Sequence, residues 1–210
     1  MTFHSVGKMR SRAQMVLLAA LFAAPAFAQD VSSAYTDLVV DQHCTTYAAA
    51  TPDQGGDWAN LVCDGYRGYP VFVFYGDARE SLFYGFPPAG DLAPAWESFD
   101  GFNATGPKIE WRLETRGDRA VPFATIHRWF VSDLEGQDEQ VQVLVVEKVG
   151  QPHQRDGCAV GYVVAQGNGD ANAKARRIAD AVARDFVCGA DQPTIDQGDV
   201  ALPSFTRNEN

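Results

Sequence analysis

No C-x-x-C pair, no H-E-x-x-H motif and no G-x-S-x-G elbow occurs in this sequence. The first two absences remove the usual signatures of a zinc site, and no two histidines stand at zinc-ligand spacing. The third removes the strand-to-helix turn that exposes a hydrolase serine. Ser32, Ser33, Ser81, Ser98, Ser132 and Ser204 fall in ends, loops or a strand edge, with no signature around them. There is no internal repeat. Beyond residue 28 no apolar run is long enough to span a bilayer. Basic residues are scarce: 17 Lys and Arg stand against 27 Asp and Glu. Such a chain repels nucleic acid and anionic lipid headgroups, and a charged partner is expected to be cationic.

What is present first is an export signal. Lys8, Arg10 and Arg12 precede the apolar run Met15 to Phe27, and Ala26-Phe27-Ala28 supplies an A-x-A cleavage site. Residues 1–28 are therefore expected to be a signal peptide. Its removal leaves 14 basic and 27 acidic groups, a formal net charge of −13. The expected location is the periplasm, with no membrane span after cleavage.

All four cysteines lie beyond the signal: Cys44, Cys63, Cys158 and Cys188. An even count in an exported chain reads as two disulfides. Three connectivities are possible. Local closure favours Cys44–Cys63 with Cys158–Cys188, each contributing about 3 kcal/mol on the chain-entropy estimate. Neither a cofactor nor a metal site is expected. The acidic stretch Asp133 to Glu139 leaves calcium open, but its spacing matches no EF-hand.

Residues 29–189 read as one secreted α+β domain, and 190–210 as a disordered acidic tail. Strand patterns recur at Tyr35–Val40, Trp58–Cys63, Tyr69–Tyr75, Ser81–Phe86, Ile109–Glu114, Val121–Val131, Val141–Val149 and Cys158–Ala165. Residues 76–80 form a hairpin connection containing Gly. Ile109, Trp111 and Leu113 alternate with Glu110, Arg112 and Glu114, which predicts a half-buried strand. The Pro- and Gly-rich stretch from Phe86 to Pro107 reads as a long loop, anchored by Trp96, Phe99 and Phe102. One helix is expected over Ala171–Val187, with Asp170 as its N-cap and Gly189 just past its end. Its apolar stripe is Ala171, Ala175, Ile178, Val182 and Phe186, with Arg176, Arg177 and Arg184 facing elsewhere. The expected fold is an antiparallel sheet with this C-terminal helix packed on one face.

The stretch CDGYRGYPVFVFYGDARESLFYGF, residues 63–86, holds eight aromatic rings. Val71, Val73 and Tyr75 point one way in a strand, and Phe72 and Phe74 the other, so both faces need cover. The turn DGYRGYP offers Tyr66, Arg67 and Tyr69, residue types enriched at binding hot spots. Arg128 and Trp129 are further candidates for that surface. The function expected from these residues is a non-enzymatic, envelope-associated protein-binding domain, for example one acting as an inhibitor. Its partner would be another envelope protein. The alternatives are a small envelope hydrolase with His127 as its base, and an accessory subunit of an envelope complex.

The segments DGYRGYPVFVFYGDARE, GPKIEWRLE, PFATIHRWF, QVLVVEK and ANAKARRIADAVARDFVC together resemble a group of uncharacterised exported proteins of alphaproteobacteria. The resemblance covers about residues 34–190. It implies a single exported domain. That group carries no assigned activity, so it implies no catalytic or binding residue.

Overall fold

The computed structural model describes residues 1–4, 30–53, 55–90, 96–132 and 140–207. Residues 5–28 of the expected signal peptide and the acidic stretch Asp133 to Glu139 lie outside the described residues. The fold is mostly β. In chain order the elements are β1 (Val31–Asp37), α1 (Val40–His43), β2 (Cys44–Ala49), β3 (Trp58–Cys63), β4 (Val71–Gly76), β5 (Arg79–Tyr84), β6 (Ser98–Phe99), β7 (Asn103–Arg116), β8 (Arg119–Ser132), β9 (Gln140–Lys148), β10 (Ala159–Val164), α2 (Ala171–Val182), β11 (Thr194–Asp196) and β12 (Phe205–Thr206).

The strands do not form one antiparallel sheet. A six-stranded sheet runs β1-β7-β8-β9-β10-β11, and a four-stranded meander runs β2-β3-β4-β5. A third pair, β12-β6, is a two-stranded ribbon. The six-stranded sheet is mixed, because β11 lies parallel to β10. Two sheets arise because Val-rich strands with two apolar faces cannot leave one face in water. Val71, Val73, Leu82 and Tyr84 from the smaller sheet share a core with Ile109, Trp111, Val131, Val143 and Val145 from the larger. Phe72, Phe74 and Phe83, on the outer face of the smaller sheet, form their own buried cluster with Val62 and Trp96 packed against it. The aromatic stretch is therefore core on both sides. Phe99 does not help cover that outer face; it is buried between the sheets.

The hairpins follow local chemistry. β4 and β5 are joined by Asp77 and Ala78, both with positive φ (52° and 56°), as the hairpin turns that match strand twist require. β8 nearly keeps its expected bounds, while β7 extends well beyond Ile109–Glu114 because pairing runs from Asn103↔Val131 to Arg116↔Arg119, with two irregularities.

The other face of the large sheet meets α2. Ala171, Ala175 and Ala179 share a buried cluster with Ala124, Ile126, Val146 and Val160. Small residues let the backbones approach, and Gly161 is needed for this: a Cβ there would sit 2.6 Å from Ile178 Cγ2. The helix ends at Val182, five residues before the expected end, and Asp170 makes no side-chain cap. Two of the three arginines expected to face elsewhere meet the sheet instead, Arg176 from the helix and Arg184 from just beyond its end. Arg176 Nε donates to Glu110 Oε1 (2.7 Å), and Arg184 Nε to Glu114 Oε2 (2.7 Å). Arg112 Nε and Nη2 donate to the two Asp180 oxygens at 2.9 and 2.7 Å. The charged face of β7 is thus buried under charge-assisted pairs. Burial pushes the Glu110 carboxyl up, but hydrogen bonds from Arg176 and Ser33 outweigh it and hold the group below its ordinary range.

Both expected disulfides are present. Cys44–Cys63 joins directly opposed residues of β2 and β3, and Cys158–Cys188 ties the start of β10 to the chain beyond α2. The expected disordered tail is corrected over its described part. Residues 194–196 extend the large sheet, and β12 pairs with β6. Its anchor is aromatic: the Phe205 ring lies 4.3 Å from Tyr162 and 6.4 Å from Phe99.

Candidate functional site

Between β3 and β4 the chain makes a tight excursion over residues 64–70. Tyr69 N donates to Tyr66 O at 2.9 Å. The two residues inside that turn, Arg67 and Gly68, have φ of 46° and 87°. Glycine adopts this region freely; an arginine there costs about 1–2 kcal/mol. Gly65 is required for a different reason. A Cβ on it would meet Tyr69 O at 2.2 Å and the Trp111 ring at 3.0 Å.

The two tyrosines fasten the turn from below. Tyr66 packs partly buried against Trp111, with ring centroids 6.2 Å apart. Tyr69 OH donates to Gln151 Oε1 (3.1 Å), and its ring meets Phe86 edge-on at 5.3 Å. Burial raises the Tyr69 phenol above its ordinary value, despite the charge of Arg116. Arg67 alone of the three is exposed, its guanidinium 5.4 Å above the Tyr66 ring. Beside it opens a cleft of about 510 Å³, lined by His43, Cys44, Thr45, Asp64, Arg67 and Tyr69 among others. That volume lies in the range of small-ligand and side-chain pockets. His43 Nδ1 accepts from Val39 N at 3.2 Å, which fixes the ring at the cleft wall.

Arg128 and Trp129 do not join this surface. They lie on β8 of the other sheet and, as strand neighbours, point to opposite faces. Arg128 Nη1 donates to Gln142 Oε1 at 3.0 Å. Trp129 is 2% exposed and packs edge-on against Phe99. It is a core residue, because β8 is buried on both faces.

His127 is also interior, at 1% exposure. Its Nε2 lies 2.6 Å from Gly106 O, an acceptor only, so Nε2 carries the proton and donates. Nδ1 then accepts from Tyr84 OH at 2.7 Å. Burial lowers its pKa to about 4 against a weaker opposing effect of the Gly106 hydrogen bond. The expectation of His127 as a hydrolytic base is corrected on geometry: both nitrogens are engaged and neither meets solvent.

The same interior holds carboxyl groups that pattern reading missed. Burial raises Glu147 well above its ordinary value, and the charge of Glu97 adds to it. Burial raises Glu97 as well, although its Oε2 accepts from Ala159 N at 2.7 Å. Glu80 is raised by burial and partly relieved by Thr105 N, which donates to its Oε2 at 2.8 Å. Arg207 Nε stands 3.9 Å from Glu97 Oε1. One signal was available: Glu147 shares its strand face with Val143 and Val145, the inward set. Among the described residues no group of three His, Cys, Asp or Glu side chains is arranged to hold a metal ion.

Comparison of the chain with protein-family models, with curated proteins and with solved structures gave no match. Two disulfides indicate an oxidising, exported environment. Among the described residues no helix is long and apolar enough to cross a membrane.

Proposed function

We propose that this chain is a periplasmic, non-enzymatic binding module that presents the Tyr66–Tyr69 turn and its cleft to another envelope protein. The observation that carries the reading is Arg67. It is an exposed arginine in a left-handed turn, held from beneath by two tyrosines whose own contacts are internal. Backbone strain of this kind persists where the surroundings over-determine it, and it concentrates at functional sites. Tyr and Arg beside a preformed concavity are the usual anchors of an interface. The acidic balance of the chain draws in a cationic partner at long range. Arg67 then pairs locally with a carboxylate or carbonyl of that partner. The resemblance to exported alphaproteobacterial proteins supports the envelope setting.

The test is cross-linking of the full chain in native envelope extract, comparing wild type with Arg67→Glu and with Arg128→Ser. A cross-linked partner lost in Arg67→Glu and kept in Arg128→Ser is the expected result. A partner kept in both moves the interface off this turn. No partner for the wild type rejects the binding reading.

A further inference from the structure

We propose that Cys44–Cys63 is a thiol–disulfide exchange site, opened by a dithiol reductant that enters the cleft beside Arg67. The inference goes beyond the binding reading and shares only its cleft. The two disulfides of this molecule differ in placement, and each serves as the reference for the other.

Cys44 and Cys63 are direct cross-strand neighbours, with Cα atoms 3.9 Å apart. Opposed residues of an antiparallel pair stand about 4.5–5.5 Å apart, and bridged cysteines about 4.4–6.8 Å. The bridge therefore draws β2 and β3 closer than either the ladder or the bond prefers, and such departures make a disulfide easier to reduce. Cys158 and Cys188 are 5.8 Å apart, in the middle of the ordinary range.

Overall exposure does not separate the bridges: each joins a buried cysteine, Cys63 at 3% or Cys158 at 7%, to a half-buried one, Cys44 or Cys188. What the first bridge has is a cleft at its side, lined by both of its cysteines. Cys44 lies on edge strand β2 and Cys63 on interior strand β3, so a reductant in the cleft meets Cys44 first. The exposed guanidinium of Arg67 and the His43 ring line the same cleft; the first favours an incoming thiolate, while Asp64 on the rim opposes it. Opening also leaves the sulfurs as neighbours, because the β2–β3 ladder and the Asp64 N to His43 O hydrogen bond (2.9 Å) do not depend on the bridge. The reaction is accordingly reversible within the folded chain.

In the first step a thiolate of the dithiol attacks Cys44 Sγ. An S–S bond forms between them, the Cys44–Cys63 bond breaks, and Cys63 leaves as thiolate. In the second step the other thiolate of the reductant attacks its own partner sulfur and releases Cys44. The protein bridge gains two electrons, the dithiol is oxidised to its disulfide, and the two thiol protons pass to Cys44 and Cys63.

The experiment exposes the oxidised, folded chain to graded dithiothreitol. New thiols are trapped by alkylation and located by peptide mapping, with circular dichroism read in parallel. We expect Cys44 and Cys63 to be labelled about tenfold faster than Cys158 and Cys188, with the fold retained. Equal rates, Cys158–Cys188 opening first, or labelling of Cys44 only as the fold is lost would each overturn the proposal. In Arg67→Asn, an exchange that keeps a residue tolerant of positive φ, the first bridge should open severalfold more slowly and the second unchanged. An unchanged first rate removes Arg67 from the docking of the reductant. No partner protein enters either measurement, so the result stands apart from the fate of the binding reading.

Discussion

Tyr84 on the four-stranded sheet donates a 2.7 Å hydrogen bond to His127 on the six-stranded sheet, across the core between them. It is a polar bolt between two layers. Tyr84→Phe keeps the ring and its edge contacts with Trp111 and His127 but leaves Nδ1 of His127 without a donor. The expected loss is about 1–3 kcal/mol in urea denaturation, the cost of one orphaned buried acceptor.

The same histidine sets a pH dependence. Unfolded, it titrates near 6.5; folded, at about 4. Above pH 6.5 both states are neutral and the group contributes no slope. Between 6.5 and about 4 the unfolded chain binds a proton that the folded chain refuses, so stability falls as pH falls, by about 3 kcal/mol across the window. His127→Gln removes this slope. Its destabilisation relative to wild type should therefore be largest at pH 7 and shrink towards pH 4, as read from denaturation midpoints at both values.

Glu147 works in the opposite sense. Its folded carboxyl is held well above the ordinary range by burial first and by Glu97 second. The stability it contributes is present below the unfolded carboxylate pKa and is lost as pH rises through the folded one. Glu147→Gln should leave stability at pH 4 nearly unchanged and raise it at pH 8 by about 1–3 kcal/mol, the scale of one poorly compensated buried polar group. Loss of stability at pH 8 would contradict this account.

Under the helix, Glu114 is 1% exposed and is held by Arg184 and Arg116. The Arg184 guanidinium also lies 3.6 Å over the Phe123 ring. Arg184→Ala removes both contacts and leaves the buried carboxylate to Arg116 alone. The expected cost is about 1–3 kcal/mol, with little dependence on salt because the acidic partner is not solvated.

Phe205 packs on Tyr162 and Phe99 from a segment whose composition suggested disorder. Because the ring is half-buried, Phe205→Ala should cost about 2 kcal/mol, below the range for a fully buried ring. Midpoints from denaturation of the full-length variant check this.

Strands with strong local patterning were legible in the residues. Trp58–Cys63 has the expected bounds, and the 76–80 connection is a tight turn. The cysteine pairs followed from local closure. What stayed hidden depended on distant partners. Glu110, Arg112 and Glu114 read as a wet face because alternation reports polarity, not cover. Arg176 and Arg184 supply that cover from about 66–70 residues away. Trp129 and His127 looked available because nothing in ATIHRWF shows that β8 is buried on both faces. β11 and β12 have three and two residues. Segments so short carry no periodic signal and depend on a distant partner, β10 for β11 and β6 for β12. At the candidate site the turn and its three residues were visible, while the cleft was not, since His43 and Cys44 enter it from the end of α1 and the start of β2.

The late position of Phe205 and Arg207 bears on biogenesis. The space between the sheets is closed partly by residues that follow the rest of the described fold, and β1 pairs with a strand that follows it by some seventy to eighty positions. A nascent chain that stops short of Phe205 lacks part of that interior. A polypeptide of such high contact order gains its tertiary structure slowly and late. It therefore remains threadable during synthesis, the condition that passage through a narrow translocation channel demands.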